Sequence, residues 1–370
     1  MIPVNAPLLI GNEKVYLAEC IDSGWISSEG PFVSRLEQGV AARCKRRHGI
    51  AVCNGTAALE VAVAALGLGP QDEIILPTFT IISCASAIIR AGATPVVVDS
   101  DPDTWNMDVK QVERAISSRT RAIMIVHIYG LPVDVQPILA IARKYGLFII
   151  EDAAEAIGQT YRGDPCGGFG DISALSFYPN KHITTGEGGM VLVNDDVLAE
   201  RCRSLRNLCF QRRRYVHEEL GWNFRMSNLQ AAVGVAQLEQ LDTFVARKRA
   251  NGMAMTEALS DISELTLPLP ITDYATNIYW AYGVVLNDEI QFDAEEAMQR
   301  LEQLGVATRA FFWPMHEQPV LRRRGLFSGA RCPVAERLAR RGFYLPSGIG
   351  LTMDQIEEVA VACRKIFGDG

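Results

Sequence analysis

The 370-residue sequence lacks the features that mark membrane, secreted and nucleic-acid-binding proteins. No run of 18 residues is continuously apolar, because the richest segment, 74–89, contains Pro77 and several hydroxyl side chains. The N-terminus has no basic stretch followed by an apolar one, so no secretory signal is readable. The net charge is −7, which argues against a partner with an anionic surface. We expect a cytoplasmic protein that binds neither nucleic acid nor membranes.

Several common site motifs are also missing. The nine cysteines form no CxxC pair and no group with histidine at zinc spacing, so we expect reduced thiols and no metal site. The segment 186–189 resembles a dinucleotide loop, but valine stands where the GxGxxG pattern needs its last glycine. The acidic cluster 99–103 lacks the glycine and glutamate of a calcium loop, so it is better read as a turn after a strand.

The first half of the chain alternates short apolar segments with helical patterns. Strands are predicted at 50–53, 73–76, 94–99, 121–127 and 147–152. Helices are predicted at 56–66, 83–90, 109–117 and 135–145, with Asp108 and Asp134 as N-caps of the last two. This alternation predicts an α/β fold with a parallel sheet covered by helices on both faces.

After residue 152 the pattern changes. Two closely spaced strands are predicted at 172–177 and 189–193, followed by helices at 197–207 and 228–249. The proline-rich segment 267–270 indicates a boundary, and helices at 295–304 and 353–366 belong to the last part of the chain. We therefore predict a large domain over 1–249 and a smaller C-terminal α+β domain over 250–370.

Three segments carry residues suited to an anionic aromatic cofactor. Gly55 and Thr56 open a helix directly after a strand, where free N–H groups suit a phosphate, although an ordinary strand-to-helix turn has the same pattern. Asp152 ends an apolar strand and should point into the ligand crevice, where a protonated pyridine nitrogen would pair with it, although a capping role or an arginine partner fits equally well. Lys181 lies in a loop before a glycine-rich return, and a desolvated lysine can form a Schiff base, whereas most lysines are merely solvated.

These segments together resemble one family. Asn-Gly-Thr at 54–56, Glu-Asp-Ala-Ala at 151–154, Ser-Phe at 176–177, Lys181 with Thr-Gly-Glu-Gly-Gly at 185–189, and Gly-Trp-Asn-Phe-Arg-Met at 221–226 resemble the DegT-type sugar aminotransferases. The resemblance runs from 24–28 to 345–347. It implies a fold-type I, aspartate aminotransferase-like transferase that uses pyridoxal 5′-phosphate, with a large mixed, mostly parallel sheet and a smaller C-terminal domain.

The resemblance also implies roles for individual residues at the cofactor. Lys181 would hold pyridoxal phosphate covalently, and Asp152 would pair with its ring nitrogen. Glu155 would lie near the phenolic oxygen, where glutamate is typical of the perosamine synthase branch. The residues implied to hold the phosphate are Gly55, Thr56 and Ser176, together with Asn223 reaching from a partner subunit, so the resemblance implies a homodimer with shared active sites.

One position departs from the family pattern. Relatives carry an aromatic residue that stacks on the cofactor ring after the Pro-x-x-Thr turn, whereas this chain has Ile81. We expect the aliphatic side chain to pack on the ring and to tune cofactor binding. Phe79, two residues earlier, is expected to lie in the core instead.

For the reaction, the resemblance implies transfer of the amino group of L-glutamate to a nucleotide-linked ketosugar. The perosamine branch aminates C4 of GDP-4-keto-6-deoxymannose to give GDP-perosamine, a sugar of O-antigen lipopolysaccharide. The residues predicted to bind substrate are Trp25, Ser27, Arg214, Tyr215, Arg309, Trp313 and His316. Both tryptophans have packing, and His316 a structural role, as alternatives.

Three other functions fit part of this pattern. A 3- or 4-aminotransferase for a dTDP or UDP sugar would use the same cofactor residues. A 3-dehydratase would carry histidine in place of the lysine, but here Lys181 precedes His182, which favours transamination. A catalytically silent regulator with this fold is disfavoured by the presence of both Lys181 and Asp152.

Overall fold

Strands and helices alternate through the first half of the computed structural model, which describes residues 1–210, 213 and 215–368. The first nine strands are β1 (His48–Val52), β2 (Glu73–Pro77), β3 (Thr94–Val98), β4 (Thr120–Val126), β5 (Phe148–Asp152), β6 (Thr160–Tyr161), β7 (Asp164–Pro165), β8 (Ile172–Ser176) and β9 (Gly189–Val193). The first seven helices are α1 (Glu13–Ser23), α2 (Pro31–Arg43), α3 (Gly55–Ala65), α4 (Ile82–Arg90), α5 (Val109–Val112), α6 (Val135–Tyr145) and α7 (Asp196–Arg206).

Seven of these strands form the large sheet, in the order β1-β9-β8-β5-β4-β2-β3. Strand β9 runs antiparallel to both of its neighbours, and all other pairs are parallel. Every residue of β2 and β9 is buried, as expected for strands covered on both faces. The predicted mixed, mostly parallel sheet is confirmed. Its parallel strands β5 and β8 end at the same edge, β5 at Asp152, which pairs with Ala174, and β8 two residues later at Ser176.

The rest of the chain builds a second sheet. The helices and strands of this part of the chain are α8 (Asn228–Glu239), α9 (Leu241–Ala258), β10 (Leu265–Thr266), β11 (Tyr282–Leu286), α10 (Ala294–Gln303), β12 (Arg309–Ala310), α11 (Pro319–Arg322), α12 (Pro333–Arg341), β13 (Gly342–Leu345) and α13 (Met353–Phe367). The four strands are antiparallel in the order β10-β11-β13-β12, and α9, α10 and α13 bury their apolar faces against them. Helix α9 runs continuously through position 249/250, and the division of the chain there stays a prediction.

Three local predictions need correction. The helix expected over 228–249 is two helices that meet at Gln240, where φ −102° and ψ 2° leave the α-helical region. The helix expected over 109–117 ends at Val112 and continues only as one 3₁₀ turn, Glu113–Ala115. Asp108 caps its helix as predicted, whereas Asp134 accepts a hydrogen bond from the Tyr161 hydroxyl at 2.5 Å and caps no N–H group.

All nine cysteines are free thiols, and eight of them are buried. Within residues 1–210, 213 and 215–368, no helix combines the length and hydropathy needed to cross a bilayer.

Candidate active site

A cavity of about 550 Å³ lies where β5 and β8 end and where β12 and β13 of the second sheet approach them. The carboxyl ends of parallel strands meet at one edge of a sheet, so residues that are distant in sequence converge there. The predicted site residues that line this cavity are Gly55, Thr56, Ile81, Asp152, Glu155, Ser176, Lys181 and Arg309.

The N-terminus of α3 forms one wall of the cavity. Asn54 caps the helix, because its Oδ1 accepts from the N–H of Ala57 at 2.8 Å. The first N–H groups of a helix have no partner inside the helix, so those of Gly55 and Thr56 are available to an anion. A Cβ atom on Gly55 would lie 2.8 Å from Cβ of Ser176, which shows how closely the two residues approach.

Asp152 lies at the base of the cavity and is 2% exposed. The N–H of Ala154 donates to its Oδ1 at 3.0 Å, and the thiol of Cys84 donates to its Oδ2 at 3.2 Å. Burial raises the pKa of Asp152, while these donors and the nearby Lys181 oppose the rise. A buried carboxylate with lone pairs still available is a suitable partner for a cation in the cavity.

Lys181 lines the same cavity as Asp152. Its Nζ lies 3.7 Å from Oε1 of Glu155 and 3.8 Å from the centroid of the Trp280 ring. Burial lowers the pKa of Lys181, although Glu155 and Asp152 act in the opposite direction. A lowered pKa increases the fraction of neutral amine, which is the form that attacks a carbonyl carbon.

Glu155 is buried beside this lysine. Burial raises the pKa of Glu155 to about 7, and Lys181 partly opposes that shift. Oε2 of Glu155 accepts from the N–H of Tyr129 at 2.9 Å, which orients the carboxyl group. The site therefore contains one carboxyl group that changes charge near neutral pH.

Ile81 and Phe79 occupy different environments. Ile81 is 43% exposed at the wall of the cavity, at the residue before α4. Phe79 is fully buried and packs against Tyr129, Phe311 and Phe312. The expectation that Phe79 belongs to the core is confirmed.

The cavity also contains residues that the sequence patterns did not identify. Trp280 covers the amine of Lys181, and Tyr344 and Phe312 line the side that faces the second sheet. Oδ1 of Asn180 is buried without a partner among the described residues, next to Lys181 in sequence. No short motif surrounds these residues. The sequence offered a signal for Asn180 alone, because it directly precedes Lys181.

Several predicted substrate-binding residues lie outside the cavity. The carbonyl groups of Trp25 and Ser27 accept from the side chain and backbone of Asn228 at 2.7 and 2.6 Å, at the start of α8. Trp313 is 44% exposed, with the Arg340 guanidinium 5.1 Å from its ring centroid. Within a single chain, these three residues are not brought to the Lys181 cavity.

His316 is the clearest correction among these predictions. It is 3% exposed, its Nδ1 lies 2.8 Å from Oγ1 of Thr78, and its Nε2 lies 3.0 Å from Oε1 of Glu336. Both ring nitrogens are thus engaged by protein groups, outside the cavity lining. The structure gives His316 the surroundings of a structural residue that joins β2 to α12.

The remaining predicted residues follow α7 in the chain. Asn223 is exposed, its Oδ1 accepts from Nε of Arg225 at 2.9 Å, and it is not among the residues that line the cavity of its own chain. Tyr215 is 73% exposed and packs edge-on against Phe210, also away from that cavity. Arg214 lies outside the described residues.

The chemistry of the cavity fits the predicted cofactor. The N–H groups of Gly55 and Thr56 suit a phosphate, and Asp152 suits a protonated ring nitrogen. Lys181 offers a buried amine for a covalent bond, and the orphaned Oδ1 of Asn180 offers an acceptor for a further polar group.

Comparisons with known proteins point in the same direction. The model of the DegT/DnrJ/EryC1/StrS aminotransferase family matches residues 8–364. The chain is 42% identical to GDP-perosamine synthase of Caulobacter vibrioides, covering 99% of this chain and 98% of that one. It is 39% identical to GDP-perosamine synthase of Escherichia coli O157:H7, covering 100% and 99%.

Solved structures agree with the sequence relatives. The aminotransferase TlmJ from Streptoalloteichus hindustanus superposes with a TM-score of 0.91 at 30% identity, covering 99% of this chain and 98% of that one. The predicted fold-type I architecture, the aminotransferase class and the pyridoxal phosphate dependence are confirmed. The chain belongs to the DegT/DnrJ/EryC1/StrS aminotransferase family.

Proposed function

We propose that this protein transfers the amino group of L-glutamate to C4 of GDP-4-keto-6-deoxymannose, giving GDP-perosamine, as a cytoplasmic homodimer with shared active sites. The observation that carries the proposal is the position of Lys181 and Asp152 in one cavity beside the N-terminus of α3. Identity of 42% to a GDP-perosamine synthase over nearly the whole chain supports the substrate.

The residues of the cavity divide the binding of pyridoxal phosphate among them. The N–H groups of Gly55 and Thr56 and the hydroxyl of Ser176 would hold the phosphate, helped by the dipole of α3. Asp152 would accept from the protonated ring nitrogen, and Ile81 would contact the ring. When bound, the cofactor supplies an electron sink for the charge that develops on the substrate carbon.

Lys181 has two tasks in this proposal. Its Nζ would hold the cofactor covalently, and its free amine would act as the general base that accepts the proton from Cα of L-glutamate and as the general acid that gives the proton up again. Burial lowers the pKa of Lys181, so the displaced amine is neutral often enough to accept that proton. The Trp280 ring 3.8 Å from Nζ keeps the amine in place and excludes water from one side.

Arg309 is the cationic residue of the cavity mouth that suits an anionic substrate. It lies on β12, is exposed, and interacts with Tyr344, which also lines the cavity. A guanidinium can bind a diphosphate or a carboxylate through two parallel hydrogen bonds. We assign it to the diphosphate of the sugar nucleotide.

The substrate is tested by incubating the holoenzyme with L-glutamate and matched panels of 4-keto and 3-keto sugars linked to GDP, dTDP or UDP. We expect an aminated product from GDP-4-keto-6-deoxymannose and no product from Lys181→Ala. Product from a dTDP or UDP sugar with none from the GDP sugar contradicts the substrate. A wild-type protein that stays colourless after addition of pyridoxal phosphate contradicts the whole proposal.

The shared site is tested by subunit complementation. Asn223 is exposed and does not line the cavity of its own chain, which supports a role in the partner's site. Lys181→Ala and Asn223→Ala should each be inactive alone, and a refolded equal mixture should recover up to about a quarter of the wild-type rate, because one site in each mixed dimer is complete. A mixture as inactive as its components contradicts the shared site.

A further inference from the structure

The carboxylate of Asp152 is held by two donors that differ in kind. Its Oδ1 accepts from the N–H of Ala154 at 3.0 Å, which belongs to the turn that follows β5. Its Oδ2 accepts from the thiol of Cys84 at 3.2 Å. Cys84 belongs to α4, the helix between β2 and β3. Cys84 is completely buried, so water cannot replace this contact.

A third residue extends this contact to the turn before α4. Oγ1 of Thr80 lies 3.5 Å from Sγ of Cys84, and Thr80 is 1% exposed. A thiol has one proton, and an ionised carboxylate can only accept, so the proton of Cys84 points to Asp152. The hydroxyl of Thr80 must then be the donor to the sulfur. The three groups form a relay with one direction, from Thr80 through Cys84 to Asp152.

We propose that Cys84 is a positioning residue that holds Oδ2 of Asp152 in place and keeps the carboxylate ionised toward the ring nitrogen of pyridoxal phosphate, with Thr80 fixing the direction of the thiol. The inference rests on the role proposed above for Asp152. It adds Thr80, which lines the cavity, and Cys84, which lies behind the cavity lining and acts through Asp152.

The surroundings of Asp152 show why one donor matters there. The charged or titratable groups that face it are Lys181 from the loop after β8, His127 from the end of β4, Glu155 from the turn after β5, and Cys84. Burial raises the pKa of Asp152, whereas each hydrogen bond donated to the carboxylate lowers that pKa and so opposes protonation.

The thiol is a donor that does not depend on pH in the working range. Burial and the neighbouring Asp152 raise the pKa of Cys84 well above its ordinary value, so the proton stays on sulfur. Because a thiol is a weak donor, it supports the carboxylate while leaving its lone pairs to the stronger N–H group of the cofactor.

The test is a pH titration of the visible absorption of the holoenzyme, which reports the protonation of the bonded Nζ of Lys181. Loss of the thiol weakens the hold of Asp152 on the ring nitrogen, so Nζ keeps its proton to a higher pH. We expect Cys84→Ala to raise the midpoint by about one pH unit and Thr80→Val to raise it by less. Cys84→Ser retains a donor of similar size and should stay within about 0.3 units of the wild type.

The matched control is Cys202→Ala, which removes an equally buried thiol from α7, outside the cavity lining. It should lower stability as a cavity-forming change does and leave the midpoint unchanged. The proposal is overturned if Cys84→Ala keeps the wild-type midpoint, if Cys202→Ala moves it as far, or if Cys84→Ser and Cys84→Ala move it together.

Failure of the relay and failure of the proposed function give different results. If the wild-type protein forms no visible band, or forms one that persists in Lys181→Ala, the proposed function of the site is wrong. If the band forms and its pH midpoint is the same in the wild type and in Cys84→Ala, only the relay is wrong. Should Cys84→Ala not fold, Thr80→Val and Cys84→Ser still decide the question, because the relay requires a shift from the first and none from the second.

Discussion

Nζ of Lys181 lies 3.7 Å from Oε1 of Glu155, and both side chains are at least nine-tenths buried. A carboxyl group of variable charge is therefore in direct reach of the amine that holds the cofactor. The charge of Glu155 is set by burial, which raises its pKa to about 7. This pair links the reactivity of the site to pH in the neutral range.

The first prediction concerns this pair. Above about pH 7 Glu155 is ionised and favours the ammonium form of Lys181, whereas below that pH it is neutral and has little effect. Glu155→Gln should therefore speed the capture of added pyridoxal phosphate by the apoprotein about tenfold at about pH 8 and hardly at all at about pH 6. Stopped-flow growth of the visible band measures the rate.

Glu187→Gln is the control for that experiment, because Glu187 also lines the cavity but is exposed. It should follow the wild-type rate at both pH values. An equal acceleration of Glu155→Gln at both pH values, or a slower reaction at the higher one, contradicts the coupling.

The second prediction concerns the phosphate end of the cavity. Gly55→Ala places a Cβ 2.8 Å from Cβ of Ser176, so one of the two groups must shift and the N–H groups lose their alignment. We expect the dissociation constant of pyridoxal phosphate to rise about 10- to 100-fold, measured by fluorescence titration. Gly69→Ala, where the nearest atom lies 3.8 Å away, should bind as the wild type does. Unchanged affinity in Gly55→Ala would rule out this phosphate site.

The third prediction concerns a buried cation at the junction of the two sheets. Lys248 is 2% exposed, and its Nζ donates to the carbonyl groups of Trp280, at 2.9 Å, and of Ser347. No carboxylate pairs with it among the described residues. Lys248→Met should lower the free energy of unfolding by about 2 kcal/mol at neutral pH, because two buried carbonyl groups lose their donor.

The loss should also depend on pH. Burial lowers the pKa of Lys248 from 10.5 to about 7, so between these values the unfolded chain binds a proton that the folded chain releases. Stability that comes from this residue therefore rises with pH from 7 to about 10.5, and Lys248→Met lacks the rise. Urea denaturation across this range measures it, with Lys110→Met, an exposed lysine, as control. Parallel curves for wild type and Lys248→Met would contradict the pKa shift.

The fourth prediction separates a structural residue from a substrate-binding one. His316→Ala removes the buried imidazole and its contacts with Thr78 and Glu336, and it should lower the free energy of unfolding by about 2 to 4 kcal/mol, with KM for the sugar nucleotide within about twofold of wild type. Arg309→Ala should raise KM for the sugar nucleotide and leave the free energy of unfolding nearly unchanged, because Arg309 is exposed at the cavity. Denaturant unfolding and initial rates measure the two effects, and a raised KM with unchanged stability in His316→Ala would restore its predicted role.

The strands and helices of the large sheet follow from local patterns. Apolar runs such as 190–193 in β9 are buried on both faces, and Asn54 and Asp108 cap the helices that follow them in the chain. Because parallel strands end at a common edge, the sequence predicted that Asp152, the last residue of β5, lies at the edge of the sheet where the ligand crevice forms. The position of Gly55 at the start of α3 has the same origin.

Residues supplied by the second sheet could not be placed in this way. Trp280, Phe312 and Tyr344 reach the cavity because that sheet packs against the large one, and their neighbours in sequence show no motif. His316 illustrates the converse, since a histidine in a proline-rich segment suits a ligand site until its contacts with Thr78 and Glu336 are seen.

The amino-acid order was thus sufficient for the family, the large sheet and the lysine–aspartate pair, because these depend on short-range periodicity and on motifs at strand ends. The Glu155–Lys181 contact, the thiol beside Asp152 and the buried Lys248 arise from side chains more than 20 positions apart, or from loops whose course is set by packing. Such contacts depend on burial and distance, and neither is encoded in any local pattern.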